Sequence, residues 1–325
     1  MSAEETAAWP PAALPASTTP TGWAGPVAFV ALAIALAWIV AIPVRLTGGL
    51  ESPWFLPLSI LMMLTPGAAA LVVARFVDGE PRVWTRLGVV TPGSSWRRVL
   101  AWCAIALGVC LAAVVLALPV GAVLGVYPAD FVGLSAFRAA LDAQLEAAGA
   151  PPVEIPVAAL LAGQLVTVVV GSVVNTLPAL GEELGWRGYL VPRLLRLGTV
   201  PAILTSGVVW GVWHAPLLVL GYNYPLAPPG VAIAAMCGMT TVMGAVLAWV
   251  RLRSGSVWPA AVGHGTINAA AGLSLVLAQE GATVDTAQAT ILGWSGWILP
   301  AAFVVVLLVR GAFAAPSPSA LRGAH

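Results

Sequence analysis

The chain contains no lysine, and only 8% of its 325 residues are charged. Soluble globular domains carry about 25% charged residues, so this composition lies outside their range. The chain has fourteen arginines and thirteen acidic residues, so its formal net charge is +1. There is no excess of basic residues that could bind nucleic acid. Hydrophobic residues make up 60% of the chain, and the mean hydropathy is +0.95. The sequence therefore predicts a polytopic membrane protein.

Cysteine is also scarce. Cys103, Cys110 and Cys237 all lie in apolar runs, where a cysteine usually serves as a small packing residue. Their placement indicates neither a disulfide framework nor a cysteine metal site.

Eight apolar runs are long enough to approach the roughly 20 residues that a membrane-spanning helix needs. They predict an all-α bundle of about eight transmembrane helices. No internal repeat is evident, which argues against an inverted-repeat transporter. The runs cover approximately 26–46, 53–76, 99–125, 156–180, 200–220, 230–250, 258–278 and 291–310.

The remaining segments are short. Residues 1–25 are rich in Pro, Ala and Thr and lack the basic start of a signal peptide, so we expect a disordered tail there and another at 313–325. A single transmembrane domain is expected over 26–312. The joint at about 130–149 has apolar residues at helical spacing and predicts a helix that lies along the outer membrane surface.

The arginines predict the orientation, because basic residues in short loops stay on the cytoplasmic side. With both termini cytoplasmic, only Arg45 and Arg138 lie outside. The asymmetry supports an even number of spans with both termini in the cytoplasm, and we expect an integral protein of the plasma membrane. The twelve arginines on the cytoplasmic side are Arg75, Arg82, Arg86, Arg97, Arg98, Arg187, Arg193, Arg196, Arg251, Arg253, Arg310 and Arg322.

The stretch "EELGWR" puts three charges at the cytoplasmic end of the fourth run. On a helix, Glu183 and Arg187 share a face and can pair, with the acid in the favourable N-terminal position. Glu182 points about 100° away and is left free to face a cavity as a general base. The structural alternative is an interfacial ion pair with snorkelling acids.

Two further motifs carry polar groups inside apolar runs. In "WGVWHAP", Trp210 and His214 are one helical turn apart; in "HGTIN", His264 and Asn268 share a face among small residues. Small neighbours let another helix or a substrate backbone approach closely. Each histidine taken alone is equally well explained by hydrogen bonding between helices.

Together the three motifs form a hydrolytic set. Glu182 with His214 could take a proton from a water, and His264 with Asn268 could donate hydrogen bonds to the oxyanion of a tetrahedral intermediate. Glu182, His214 and His264 also suit a catalytic divalent metal such as zinc with an open position. The sequence does not distinguish a metal-free mechanism from a metal-dependent one.

The ordered trio "EELGWR", "WGVWH" and "HGTIN" resembles the CPBP family of intramembrane proteases, which includes CAAX prenyl endopeptidases and Abi-type or bacteriocin-processing proteins. The resemblance covers about 155–278. It implies that Glu182 is the base, supported by Glu183 and Arg187, that His214 assists water activation, and that His264 and Asn268 stabilise the oxyanion. Trp210 departs from the family pattern, where Phe is usual.

The leading hypothesis is therefore an intramembrane endopeptidase. It would cleave a membrane-associated peptide, prenylated or leader-bearing, near the cytoplasmic leaflet. A non-catalytic binding or immunity protein of the same fold is the main alternative. A proton-coupled transporter would use the same groups as a relay, but the scattered prolines show no matching broken helices.

Overall fold

The computed structural model describes residues 22–92, 94–151 and 153–313, and these residues are built almost entirely from helices. The predicted tails at 1–25 and 313–325 fall almost wholly outside the described residues. An isolated bridge between Ala129 and Ala278 is the one β-type pairing within them. The predicted all-α membrane bundle is confirmed.

Thirteen α-helices follow one another along the described chain. Segments of π-helix extend α2 over Val73–Val77 and α6 over Leu184–Leu190. The helices are α1 (Ala24–Leu46), α2 (Phe55–Val72), α3 (Val83–Arg86), α4 (Trp96–Val123), α5 (Ser135–Ala147), α6 (Val157–Glu183), α7 (Val191–Leu194), α8 (Thr199–Trp213), α9 (Ala215–Leu218), α10 (Pro229–Ser254), α11 (Trp258–Ala270), α12 (Leu273–Val276) and α13 (Ile298–Val309).

Every one of the eight apolar runs is helical, and the amphipathic joint forms α5. Five helices are long and apolar enough to cross a membrane, while Thr199–Trp213 and Trp294–Val309 are shorter apolar helices. The number of crossings therefore stays a prediction. The five long helices are Ala24–Leu46, Phe55–Val77, Trp96–Val123, Val157–Leu197 and Pro229–Ser254.

The bundle has two distinct ends, because α1, α4, α8 and α11 run in one direction and α2, α6, α10 and α13 run in the other. At one end, which we call the arginine-rich end, Arg193 pairs with Asp78 and the Val257 backbone N–H donates to the Gly88 carbonyl. This end also carries the start of α1.

The opposite, arginine-poor end carries α5 and the connections that lead into α2, α6, α10 and α13. Here the Phe55 and Tyr222 rings meet, and the Asp130 backbone N–H donates to the Leu277 carbonyl. The Tyr224 hydroxyl donates to the Leu292 carbonyl. These contacts tie separate connections together across this end.

Glycines allow helices to pack backbone to backbone around the polar motifs. A Cβ on Gly67 of α2 would lie 2.6 Å from the Gly181 carbonyl oxygen of α6, and a Cβ on Gly265 of α11 would lie 2.8 Å from the Thr176 nitrogen of α6. Small residues permit such close approach. At Gly265, therefore, the small residue next to His264 allows α6 to pack closely against α11.

The "EELGWR" stretch does not lie at a helix end. The helix continues through the π-helical segment and on to Leu197, as part of a 41-residue apolar unit that begins at Val157. Gly181, next to the first glutamate, packs near the middle of the Phe55–Val77 helix. The charges therefore lie within a continuous helix rather than at its end, and their position at the cytoplasmic edge of the membrane stays a prediction.

Candidate active site

Glu183 is the centre of a buried ionic cluster that joins α6 to α11. Its Oε1 atom accepts a hydrogen bond from Arg187 Nη1 at 2.7 Å and lies 2.9 Å from His264 Nδ1. Glu183 is 0% exposed, and Arg187 is 2% exposed. The predicted pairing of Glu183 with Arg187 is present, and a second partner from a distant helix joins it.

Glu182 points to the other side of α6, toward α8. Its Oε2 atom accepts a hydrogen bond from Trp210 Nε1 at 2.7 Å, and the residue is 2% exposed. A snorkelling acid would reach the membrane surface, so burial of both glutamates and of Arg187 overturns the interfacial interpretation of this motif.

Trp210 contacts four of the ionisable side chains around it, those of Glu182, Arg187, His214 and His264. Its ring centroid lies 5.2 Å from the His264 ring and 6.0 Å from the His214 ring. The Arg187 guanidinium carbon lies 4.1 Å from the Trp210 ring centroid, which is a cation–π contact. Together with its bond to Glu182, these contacts make Trp210 the common neighbour of the site.

His214 lies where α8 ends. Pro216 follows in the first turn of α9, and the His214 backbone N–H donates to Gly211 rather than to the carbonyl one residue earlier. That carbonyl, of Trp210, lies 2.8 Å from His214 Nδ1. A carbonyl oxygen only accepts, so Nδ1 carries a proton, and Nε2 of the neutral ring is left as an acceptor.

A cavity of about 500 Å³ brings the predicted residues together. Glu182, His214, His264 and Asn268 all line it, whereas Glu183 and Arg187 lie behind its wall. Most of the other residues that line the cavity are apolar, and four of them are methionines. The other lining residues are Leu56, Ser59, Ile60, Met62, Met63, Val174, Asn175, Leu177, Pro178, Trp210, Trp213, Leu217, Tyr222, Asn223, Met236, Met239, Thr240, Ile267, Ala271, Ile291 and Leu292.

Asn268 presents its amide to this cavity. The residue is exposed, unlike His264 one turn earlier on α11, which is 5% exposed. No hydrogen bond joins the Asn268 side chain to another of the described residues. The amide is therefore available to a bound molecule.

The donor geometry does not fit a three-ligand metal site. Within the described ranges, no three His, Cys, Asp or Glu side chains converge closely enough to hold an ion. The hydrogen bonds of His214 and His264 to the Trp210 carbonyl and to Glu183 involve Nδ1 and leave both Nε2 atoms available to a ligand, so it is the spacing of the groups alone that does not fit. Glu182, His214 and His264 thus line one cavity without forming a ligand cage.

Sequence reasoning missed two features of the site. The sequence showed Trp210 only as a departure from the usual Phe, whereas in the structure its indole donates a hydrogen bond to Glu182. Glu183 was expected to support Glu182, but its carboxylate contacts His264. The tryptophan in place of the usual Phe was the one sequence signal for the hydrogen bond to Glu182. Nothing in the spacing of the motifs indicates the contact between Glu183 and His264.

Comparison with known families supports this reading of the motifs. Residues 158–270 match the family model of type II CAAX prenyl endopeptidases, Rce1-like. The matched segment covers less than half of the chain, runs from α6 to α11 and contains all six predicted site residues. No curated protein matches the chain. The resemblance inferred from the three motifs is confirmed over this segment, and it supports an integral membrane endopeptidase.

Proposed function

We propose that this protein is an intramembrane endopeptidase that hydrolyses a peptide bond of a membrane-associated substrate, with Glu182, His214, His264 and Asn268 as its catalytic residues. The observation that supports this most directly is that all four side chains line one cavity although they come from three separate helices. The Rce1-like match over residues 158–270 supports the same reaction class.

Glu182 and His214 are the proposed activators of the attacking water. Trp210 occupies one carboxylate oxygen of Glu182, Oε2, and leaves Oε1 to accept a proton. His214, held with its Nδ1 proton on the Trp210 carbonyl, offers Nε2 as a second acceptor. A water held between these acceptors loses a proton to Glu182 as its oxygen attacks the peptide carbonyl carbon.

His264 and Asn268 are the proposed donors to the oxyanion that this attack creates. With its Nδ1 proton on Glu183, His264 donates from Nε2 only when the ring is cationic. The Glu183 carboxylate stabilises that charge, and Arg187 holds the same oxygen in place. The Asn268 amide supplies an N–H donor. Glu182 then returns its proton to the leaving amine as the C–N bond breaks.

The cavity wall favours an apolar substrate segment. Methionine side chains adapt to irregular apolar surfaces, and Met62, Met63, Met236 and Met239 all line the cavity. None of the described lining residues is an arginine. Both a prenylated peptide and a peptide with an apolar leader segment can pack an apolar group against such a wall.

The test is cleavage of a peptide library by the purified protein in lipid nanodiscs, with and without a chelator. We expect cleavage products that are unchanged by the chelator, because the donors do not converge on an ion. Loss of cleavage that zinc restores would contradict the metal-free mechanism. Binding of peptides without any cleavage would instead favour the non-catalytic alternative.

Trp210→Phe is a conservative test of the indole donor. The phenyl ring keeps the aromatic wall but removes the N–H that holds Glu182 Oε2. We expect kcat to fall by about 10-fold, the equivalent of one lost hydrogen bond to a charged group, while KM changes little. Steady-state cleavage of one library substrate measures both parameters.

Trp213→Phe is the matched control. Trp213 also lines the cavity, but its Nε1 donates to Thr65 rather than to a proposed catalytic group. Equal losses of kcat in the two variants would show that general packing, rather than the bond to Glu182, is responsible.

A further inference from the structure

At two places in the cavity wall, a side chain replaces a missing backbone hydrogen bond. A carbonyl of an α-helix ordinarily accepts from the N–H four residues later. Pro66 has no N–H, and Thr65 Oγ1 donates to the Met62 carbonyl in its place, at 2.8 Å. The His214 backbone N–H bonds elsewhere, and His214 Nδ1 lies 2.8 Å from the Trp210 carbonyl. Both carbonyls are thereby satisfied within the bundle.

The Val174 carbonyl of α6 has no such replacement. Pro178 lies inside this helix and has no N–H, so the Val174 carbonyl lacks the donor four residues later. Among the described residues, no side chain donates to this oxygen. The neighbouring amide, Asn175 Nδ2, donates instead to the Gly171 carbonyl at 2.8 Å. An unsatisfied carbonyl is costly at membrane depth, so a freed carbonyl there accepts from water or from a bound molecule.

This carbonyl lies on the side of α6 that faces the cavity. A helix carbonyl lies on the surface shared by its own residue and the residues three and four later, here Leu177 and Pro178. Val174, Leu177 and Pro178 all line the cavity, and Asn175 lines it as well. With Nδ2 bound to Gly171, the Asn175 Oδ1 atom has no donor in the described part of the chain. One turn of α6 thus presents two hydrogen-bond acceptors to the cavity.

Asn268 of α11 borders the same part of the cavity. The two helices pack closely here, because a Cβ on Gly265 would lie 2.9 Å from the Asn175 carbonyl carbon and a Cβ on Gly171 would lie 3.1 Å from the Ala269 Cβ. Asn268 lies between Gly265 and Ala269 in the sequence and lines the cavity. Its amide therefore connects the proposed oxyanion site to this turn of α6.

We propose that the Val174 carbonyl and the Asn175 side-chain carbonyl form a binding site for backbone N–H groups of an extended peptide. An extended chain has unpaired N–H groups along its edge, and main-chain hydrogen bonds of this kind give affinity without requiring a particular side chain. A helical peptide uses its N–H groups internally and cannot bind in this way. The site therefore selects a substrate whose backbone is locally unwound. It rests on the proposed function only in taking a peptide as the ligand.

The position of the site predicts which N–H group of the peptide it binds. Val174 and Glu182 are eight residues apart, or about 12 Å along α6 at about 1.5 Å per residue. An extended peptide covers about 3.3 Å per residue. The N–H group bound by Val174 therefore belongs to a residue about three or four positions from the scissile bond.

N-methyl scanning of a bound peptide tests the site without requiring cleavage. The probe is the member of the peptide library that binds the Glu182→Gln protein most tightly in nanodiscs, labelled with a fluorophore. Each backbone N–H of the probe is replaced in turn by N–CH3. We expect one position to lose about 10-fold in affinity, the equivalent of one hydrogen bond. We call it the sensitive position, and most other positions should change by less than about threefold.

Pro178→Ala separates a hydrogen bond from a steric effect of the methyl group. The alanine N–H satisfies the Val174 carbonyl, so the unmethylated probe should bind about 10-fold more weakly, and methylation of the sensitive position should add little. Pro66→Ala is the matched control, because Thr65 already donates to the Met62 carbonyl, and it should leave the sensitivity unchanged. If methylation had the same effect in the Pro178→Ala protein as in its parent, the assignment to Val174 would be wrong.

Asn175→Leu tests the second acceptor. Leucine keeps a similar volume and removes the side-chain carbonyl, so the unmethylated probe should bind about 10-fold more weakly. An unchanged affinity would exclude Asn175 from the site.

Solid-state NMR observes the Val174 carbonyl directly. Val174 and Asn175 form the only Val-Asn pair in the sequence, so valine labelled with 13C at its carbonyl and asparagine labelled with 15N select one carbonyl resonance. We expect this resonance to move downfield when the probe binds, and to stay in place with the probe methylated at the sensitive position. A resonance that saturating unmethylated probe leaves in place would show that only water occupies this oxygen, and would overturn the proposal.

The site and the protease activity can fail separately. Cleavage by the wild-type protein without any sensitive position in the probe would overturn the site alone. A sensitive position that Pro178→Ala abolishes, in a protein that cleaves no library peptide, would uphold the site and refute the activity. If no library peptide binds the Glu182→Gln protein, the proposed site is wrong.

Discussion

Glu182→Gln is expected to lower kcat for peptide cleavage by about 10³-fold, within the range that general acid–base groups contribute. The amide keeps a similar shape and an oxygen that can accept the Trp210 Nε1 hydrogen bond, so the wall of the cavity is preserved. It cannot accept a proton from water. Single-turnover cleavage in nanodiscs measures the loss directly.

KM should change by less than about threefold in the same variant, since the apolar lining that binds the substrate is untouched. Glu80→Gln is the control, because this carboxylate lies at the arginine-rich end outside the cavity. If Glu182→Gln retained a kcat close to that of the wild type, Glu182 would not be the base and the proposed mechanism would be wrong.

Arg187→Met is expected to lower the free energy of unfolding by about 3–5 kcal/mol, the cost of removing one partner from a buried ion pair. Methionine fills a similar volume but leaves the fully buried Glu183 with only His264 beside it. The cation–π contact with Trp210 is lost as well. Reversible unfolding in mixed detergent micelles measures the change.

The double variant Glu183→Gln, Arg187→Met separates charge from packing. Because it removes both charges of the pair, it should recover about 2 kcal/mol relative to Arg187→Met alone. A double variant whose loss equals the sum of the two single losses would show that Glu183 and Arg187 are not coupled. The expected kcat of the double variant is still low, since His264 loses its carboxylate partner.

Hydropathy was sufficient to locate the helices. A helix satisfies its own backbone hydrogen bonds, so a long apolar run in a membrane has few alternatives to being helical. The eight runs accordingly appear as helices, and the "EELGWR" spacing correctly predicted the pairing of Glu183 with Arg187. That pair is local, four residues apart on one helix.

Local pattern could not locate the end of α6. A run of charges ordinarily marks the membrane surface, and the sequence interpretation placed "EELGWR" there. In the structure, α2, α8 and α11 surround this part of α6 and bury its charges against one another. Whether a charge is at the surface or in the interior depends on its neighbours in space, which hydropathy along the chain does not describe.

The sequence by itself determined the membrane class, the helical segments and the identity of the polar residues, because these depend on composition and on spacing within single helices. The tertiary structure alone decided that Glu183 contacts His264, that Trp210 donates a hydrogen bond to Glu182, and that residues of three separate helices line one cavity. Each of these depends on contacts between residues far apart in the chain, and such contacts arise only when the helices pack.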